Sequence, residues 1–311
     1  MKQKQIPLLD VRDLSVSFPG SRQGLPQTTT RPISNLCVRV EQGELLAVVG
    51  ASGSGKSLLA HAVLGLLPAA ARVSGSIRYR GQELDEALLT GLRGREIALV
   101  PQSVAYLDPL MKVGPQVQGT MKGPEAVRRR GEAMRRHGLC ERSERLYPFQ
   151  YSGGMARRAL IATAETGDAN LILADEPTPG LDLPLARRAL QYLREFADRG
   201  KGVLLITHDI DLAVQVADKL AVFYAGTTVE SMPARDFLRG EDQLRHPYTK
   251  ALFRALPQNG FHPIPGTQPD PSALPEGCLF AARCPGRTGE CAGKIPMRPL
   301  RGGMVRCIHA T

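Results

Sequence analysis

The sequence predicts an α/β fold, a domain built on a mainly parallel sheet and followed by a shorter cysteine-rich extension. Three observations carry this. Short apolar runs at 45–49, 97–100, 171–175 and 202–206 alternate with segments of helical periodicity, the pattern of strands joined by crossover helices. The first run ends in a glycine-rich loop that opens a helix. After about residue 240 the texture changes, and Pro, Gly and Cys dominate from Leu256 onward. At 311 residues the chain exceeds one ordinary domain, which suits a core of about 200–250 residues with an appendage. The main domain is placed at 1–240, its helical subdomain at about 104–165, and the extension at 241–311.

The elements follow in order. Residues 8–18, LLDVRDLSVSF, alternate as in an edge strand. Residues 19–32 are polar and rich in turn formers, so they read as a loop. A strand LCVRV and a turn Glu41-Gln42-Gly43 lead to the buried run 45–49. Residues 57–66 suit a helix, 75–81 a returning strand, and 97–100 a short buried strand before Pro101-Gln102. Helix then predominates from about 104 to 165. Residues 171–175 and 202–209 form two further strands around a helix at 184–200. No internal repeat is visible.

Composition narrows the function classes. Hydrophobic residues make up 42% and charged residues 23%. No run of about 18 apolar residues exists, so no membrane-spanning helix is expected, and the N-terminal Met1-Lys2-Gln3-Lys4-Gln5 lacks the apolar stretch of a signal peptide. A cytoplasmic protein is expected, attached to a membrane only through a partner. The net charge is +10, but the basic residues are dispersed. The densest group, Arg128-Arg129-Arg130 with Arg135 and Arg136, lies on a helical pattern as a solvated face. No aromatic residue interleaves it, so nucleic acid is not expected as a partner.

Two motifs carry chemistry. Gly50-Ala51-Ser52-Gly53-Ser54-Gly55-Lys56-Ser57 fits GxxxxGK[ST] in full, after a strand and before a helix that continues with Leu58. Its glycines let backbone N–H groups turn inward around phosphates, and the helix N-terminus adds partial positive charge. Lys56 reaches the β- and γ-phosphates and Ser57 binds Mg²⁺ in such loops. Downstream, Leu171-Ile172-Leu173-Ala174-Asp175-Glu176 places two carboxylates at the end of a buried strand. Asp175 would hold Mg²⁺ and Glu176 would act as general base on the attacking water.

With Gln102, the segment Tyr151-Ser152-Gly153-Gly154-Met155, Leu181-Asp182 and His208, these motifs stand in the order of the ATP-binding-cassette (ABC) ATPases, which the chain resembles over roughly residues 8–235. The resemblance implies a P-loop NTPase fold: a RecA-like core, an antiparallel β subdomain and an α-helical subdomain. It also implies roles. Gln102 senses the γ-phosphate and its Mg²⁺. Ser152, Gly153 and Gly154 bind the γ-phosphate of ATP held by an opposite subunit. Asp182 crosses the dimer interface, His208 contacts the γ-phosphate and supports Glu176, and Phe18 is the candidate for stacking on adenine, with plain core as the other reading. Tyr106, Leu107, Asp108 and Pro109 would line a groove for a permease helix. Tyr151 and Met155 depart from the common LSGGQ form, and Met155 resembles one ATPase subunit of the peptide/nickel importers.

The extension resembles the same importers. His246-Pro247-Tyr248-Thr249 is similar to their HPYT segment, and Cys278, Cys284, Cys291 and Cys307 follow as C-x₅-C-x₆-C-x₁₅-C. Four cysteines so close in a cytoplasmic protein favour a metal over disulfides. A four-iron four-sulfur cluster is preferred, with Zn²⁺ as the alternative. The expected function is the ATP-hydrolysing subunit of a membrane ABC importer for short peptides. Its expected place is the cytoplasmic face of the inner membrane. Expected partners are a second, different ABC ATPase subunit, two transmembrane permease subunits and an extracytoplasmic binding protein. Nickel or a metal chelate is the alternative substrate, and a soluble non-transport ABC ATPase is the distant alternative.

Overall fold

The computed structural model describes residues 6–20, 29–51 and 53–311. Residues 1–5, Ser52 and the middle of the predicted 19–32 loop lie outside the described residues. In chain order the elements are β1 (Leu9–Pro19), β2 (Thr29–Val40), β3 (Leu45–Gly50), α1 (Lys56–Val63), β4 (Arg72–Tyr79), β5 (Gln82–Glu83), α2 (Glu86–Leu92), β6 (Ile97–Val100), α3 (Val113–Gln118), α4 (Pro124–Arg136) and α5 (Gly153–Thr166). They continue with β7 (Leu171–Asp175), α6 (Leu183–Asp198), β8 (Gly202–Ile206), α7 (Ile210–Val216), β9 (Lys219–Tyr224), β10 (Thr227–Pro233), α8 (Ala234–Leu238), α9 (Pro247–Arg254), β11 (Arg298–Leu300) and β12 (Gly303–Val305). The chain forms two compact units. The first holds residues 1–40, 46–84 and 208–311, and the second holds 41–45 and 85–207.

The first unit contains the expected antiparallel subdomain, with strand order β2-β1-β4-β5. Its β1 is an interior strand, not an edge. Leu9 faces Val40 of β2 on one side and Tyr79 of β4 on the other. Alternation reports a buried face and says nothing about which strand edges are paired. Strand β2 also begins earlier than its composition suggests. The pairings Pro19↔Thr29 and Phe18↔Thr30 hold Thr29-Thr30-Arg31-Pro32 extended, a case of tertiary pairing overriding turn-forming residues.

The unit's other strands run in the order β11-β12-β10-β9-β3. Only the β3–β9 pair is parallel, while β9–β10, β10–β12 and β11–β12 are antiparallel. The mainly parallel sheet of the sequence reading is therefore corrected to a mixed one. The cause is local: β9 and β10 are joined through Ala225 and Gly226, both at positive φ (47° and 82°), which closes a tight hairpin.

The second unit has the parallel strands β6-β7-β8 in adjacent order. All residues of β7 and β8 are buried, as continuous apolar strands should be when both faces are covered. Residues 104–165 hold α3, α4 and α5 joined by 3₁₀ turns. Val113, Val117, Met134, Leu139, Ala159 and Ala162 form their core, with Tyr151 and Met155 packed against it. The arginines of α4 pair along the solvent face: Arg128 lies 2.6 Å from Glu125 and 2.5 Å from Glu132. Each such exposed pair contributes about 1 kcal/mol at most.

The cysteine-rich extension folds onto the first unit. Glu230 of β10 is fully buried and accepts from the backbone N–H groups of Arg245 (3.0 Å) and His246 (2.8 Å). The Arg245 guanidinium, 1% exposed, pairs with Glu230 at 3.2 Å and Asp236 at 2.8 Å and donates to the Leu300 carbonyl at 2.8 Å. Truncating one partner of such a buried network strands the others without charge compensation. Arg245→Ala is expected to cost about 3–5 kcal/mol in equilibrium denaturant unfolding, whereas Arg128→Ala should change stability by about 1 kcal/mol or less.

Candidate nucleotide-binding site

In the first unit, β3 is buried along its whole length and ends at Gly50. Its φ is 154°, and a Cβ there would lie 2.3 Å from the Phe223 carbonyl oxygen. Only glycine fits. A Cβ on Gly55 (φ 84°) would meet the Pro32 carbonyl at 2.5 Å. Between them Gly53 also has positive φ, 76°, with open space around it. These conformations curl the backbone before α1, whose first turn carries no acidic residue. Lys56 is buried, and its Nζ donates to the Gly50 carbonyl at 2.9 Å and the Ala51 carbonyl at 3.0 Å. The Ser54 Oγ is buried with no hydrogen-bond partner among the described residues. A cationic nitrogen resting on carbonyls, a partnerless hydroxyl and a helix N-terminus without acid are what a phosphate chain would satisfy.

In the second unit, Asp175 and Glu176 are 5% and 6% exposed. Glu176 has φ 45°, a left-handed conformation that costs on the order of 1–3 kcal/mol off glycine and marks functional positions. Its N–H donates to the Ile206 carbonyl at 2.9 Å. Arg157 of α5 organises this region, and sequence reasoning missed it. Its guanidinium donates to the carbonyls of Gln102, Glu176 (3.2 Å) and Pro179 (3.1 Å). Burial pushes its pKa down, and the Glu176 carboxylate opposes that. The only sequence signal was its place five residues after Ser152, on the helix that segment starts.

Ser152 caps α5, its Oγ accepting from the Met155 N–H at 3.2 Å, and both Ser152 and Gly153 are exposed. The departures from LSGGQ have a packing reason. Tyr151 donates to the Ser143 carbonyl at 2.8 Å, and burial pushes its phenol up to about 12. Asp182 caps α6, accepting from the Leu185 N–H at 2.9 Å. The Gln102 side chain is exposed. His208, exposed after β8, precedes Asp209, the cap of α7. Phe18 is half-buried and continues the alternation of Leu14 and Val16. Tyr106, Asp108 and Pro109 are exposed, but Leu107 packs with Ala156 and Leu160 in the interior, which corrects its assignment to a surface groove.

Cys278, Cys284, Cys291 and Cys307 are unbridged and line one cavity of about 40 Å³. Burial raises the Cys278 thiol, and the three other sulfurs raise it further. Gly277 (φ 80°) has no room for a side chain, since a Cβ would lie 2.2 Å from the Cys291 carbonyl. His246 also lines the cavity, but its Nδ1 accepts from the Tyr248 N–H at 3.0 Å and burial pushes it down to about 3, so it serves as a neutral structural cap. Among the described residues, no group of three or more His, Cys, Asp or Glu is gathered as a metal site.

Comparison with known proteins agrees with this geometry. A family model described as "ABC transporter" matches residues 33–179, and one described as "Oligopeptide/dipeptide transporter, C-terminal region" matches 229–291. A putative peptide import ATP-binding protein of Brucella abortus is 35% identical over 98% of this chain and 95% of its own length. The chain belongs to the ABC transporter ATP-binding proteins. This ABC chain is also 40% identical to the oligopeptide transport ATP-binding protein OppD of Mycobacterium bovis, over 93% of its residues and 49% of that protein. It thus spans about half the length of that relative. Among solved structures, a dimeric ATP-binding cassette in a post-hydrolysis state bound to ADP and Pi matches with a TM-score of 0.64 and 26% identity, covering 73% of this chain and 99% of that one.

Arg157 holds three carbonyls with one planar fork, which a lysine cannot reproduce. Arg157→Lys is expected to lower ATP turnover by about tenfold or more, the equivalent of about 1.4 kcal/mol, with the chain still folded by circular dichroism.

Proposed function

We propose that this chain is the ATP-hydrolysing subunit that powers a membrane importer for short peptides. The observation that carries the reading is the joining, in one ABC chain, of a phosphate loop whose Ser54 hydroxyl is buried without a partner among the described residues to an extension that matches peptide-transporter C-terminal regions. In this reading Gly50, Ser52, Gly53, Ser54, Gly55, Lys56, Ser57 and Leu58 cradle the triphosphate, and Phe18 stacks on adenine. Ser57, Gln102 and Asp175 hold Mg²⁺, which neutralises charge between the β- and γ-phosphates. Glu176 takes the proton of the attacking water and His208 supports it. Its fixed backbone lets the carboxylate act without reorganisation.

Ser152 caps, and Gly153 and Gly154 begin, a 14-residue helix whose first turn lacks acid, an anion site. They complete an ATP site on a second, different ATPase subunit, with Asp182 at the contact. ATP then stabilises association in proportion to its binding, and hydrolysis releases it. Among the described residues, no helix is long and apolar enough to cross a membrane. In this reading two permease subunits supply the path, an extracytoplasmic protein delivers substrate and this chain binds at the cytoplasmic face. Support for peptides over nickel comes from the relatives, named for peptide and oligopeptide transport.

The four thiols line one cavity whose lining holds no carboxylate, and thiolates are the donors that a four-iron four-sulfur cluster or Zn²⁺ takes. Such a group would fasten a Pro-rich segment that has little core of its own.

In a deletion strain, the wild-type chain should restore dipeptide uptake and Glu176→Gln should not, while that variant still binds ATP and stays associated with its partner subunit. Restored nickel uptake without peptide uptake would overturn the substrate assignment. Protein purified without oxygen should be brown and contain iron and sulfide; colourless protein carrying zinc would decide for the alternative.

A further inference from the structure

A polar knot joins three helices of the second unit and takes no part in the chemistry proposed above. Its centre is Glu165, in the last turn of α5, where the helix dipole disfavours a carboxylate. Its partners hold it there. Arg136, at the end of α4, donates to Glu165 Oε1 at 2.8 Å, and Arg199, at the end of α6, donates to the same oxygen at 3.2 Å. The other oxygen accepts from His137 Nε2 at 2.8 Å. The His137 side chain is fully buried, and its Nδ1 has no hydrogen-bond partner among the described residues. From α6, the Tyr192 ring meets His137 edge to face at 4.1 Å, and the Tyr192 hydroxyl donates to the Arg136 carbonyl at 2.6 Å. Glu195 completes the knot by pairing with Arg136 and, at 3.6 Å, with Arg199.

The same helix carries Arg157, about two turns nearer its start and about 12 Å away along the axis. There the guanidinium donates to the carbonyls of Gln102, Glu176 (3.2 Å) and Pro179 (3.1 Å). The last two bonds stand at the long end of the normal range, so a shift of α5 by a fraction of an ångström weakens them. Between the two ends Ala159, Leu160, Ile161, Ala162 and Ala164 are buried, and a close-packed helix transmits displacement along its length. Thus α5 is a rod. One end is tied to α4 and α6, and the other to the backbone of Glu176, whose φ of 45° persists only while its surroundings enforce it.

We propose that Glu165 is a positioning residue of the ATP site: by fixing the far end of α5 it keeps Arg157 within reach of the Glu176 carbonyl. The inference rests on the reading of Glu176 as general base.

A double-variant cycle tests it, with steady-state ATP turnover of the full-length chain measured in complex with its partner subunits. Glu165→Gln keeps the side-chain shape and removes the charge. It should lower kcat by about fivefold and leave KM for ATP within about twofold, because the phosphate loop is untouched. In an Arg157→Lys background the same change should lower kcat by less than about twofold, because the two residues act in series. Equal falls in both backgrounds, or a lower melting temperature with kcat unchanged, would overturn the proposal. His137→Gln, whose amide can still donate to Glu165, should keep kcat within about twofold, whereas His137→Phe, which keeps a ring beside Tyr192 but cannot donate, should behave as Glu165→Gln does. Identical kcat values for the two His137 variants would count against the proposal. Asp198→Asn removes an exposed pair with Arg194 on the same α6 and should leave kcat unchanged; a fall equal to that of Glu165→Gln would reduce the knot to general packing. If Glu165→Gln does not fold, His137→Phe takes its place in the cycle. Full turnover by Glu176→Gln would instead show that the assignment of the base is at fault, whatever the cycle gives.

Discussion

The constraint on which the nucleotide loop depends is the approach of Gly50 to the Phe223 carbonyl, where a Cβ would sit at 2.3 Å. It exists because β3 and β9 are parallel neighbours, with Gly50 paired to Phe223 at the end of the ladder. The strand must finish on a residue without a side chain, and the chain must leave at a φ only glycine tolerates. The positive φ of Gly53 and Gly55 and the place of Lys56 on the Gly50 and Ala51 carbonyls follow that exit. The next residue along β9, Tyr224, carries the aromatic cluster that receives the extension. The loop and the extension thus depend on the same strand.

The extension is held by two different means. A buried charge network around Glu230, Arg245 and Asp236 sets its entry point, and strand pairing of β12 on β10 sets its exit. Between them the segment contributes few large apolar side chains beyond Tyr248, Phe280 and Ile295. Buried ion pairs add specificity of register more readily than net stability.

In the second unit the equivalent organising group is Arg157. One guanidinium touches three backbone carbonyls, from the loop of Gln102, the residue proposed as base and the turn before Asp182. A change in the position of any one of these segments is transmitted to the others through a rigid planar donor. The helix that carries Arg157 begins at the exposed Ser152 and Gly153. Binding of an anion there and the geometry around Glu176 therefore act on the same element.

Local order is what the sequence determined by itself. The phosphate loop needs only contiguous residues, so its glycines, Lys56 and Ser57 were legible as a motif. The acidic strand was legible because a fully buried strand reads as an unbroken apolar run. Tertiary structure decided whatever depends on partners distant in the chain. The interior place of β1 requires knowing both its neighbours, and the mixed sheet requires the β9–β10 hairpin. Arg157 escaped the sequence because it acts on backbone carbonyls, which every residue carries alike, and only folding selects the ones that come within reach.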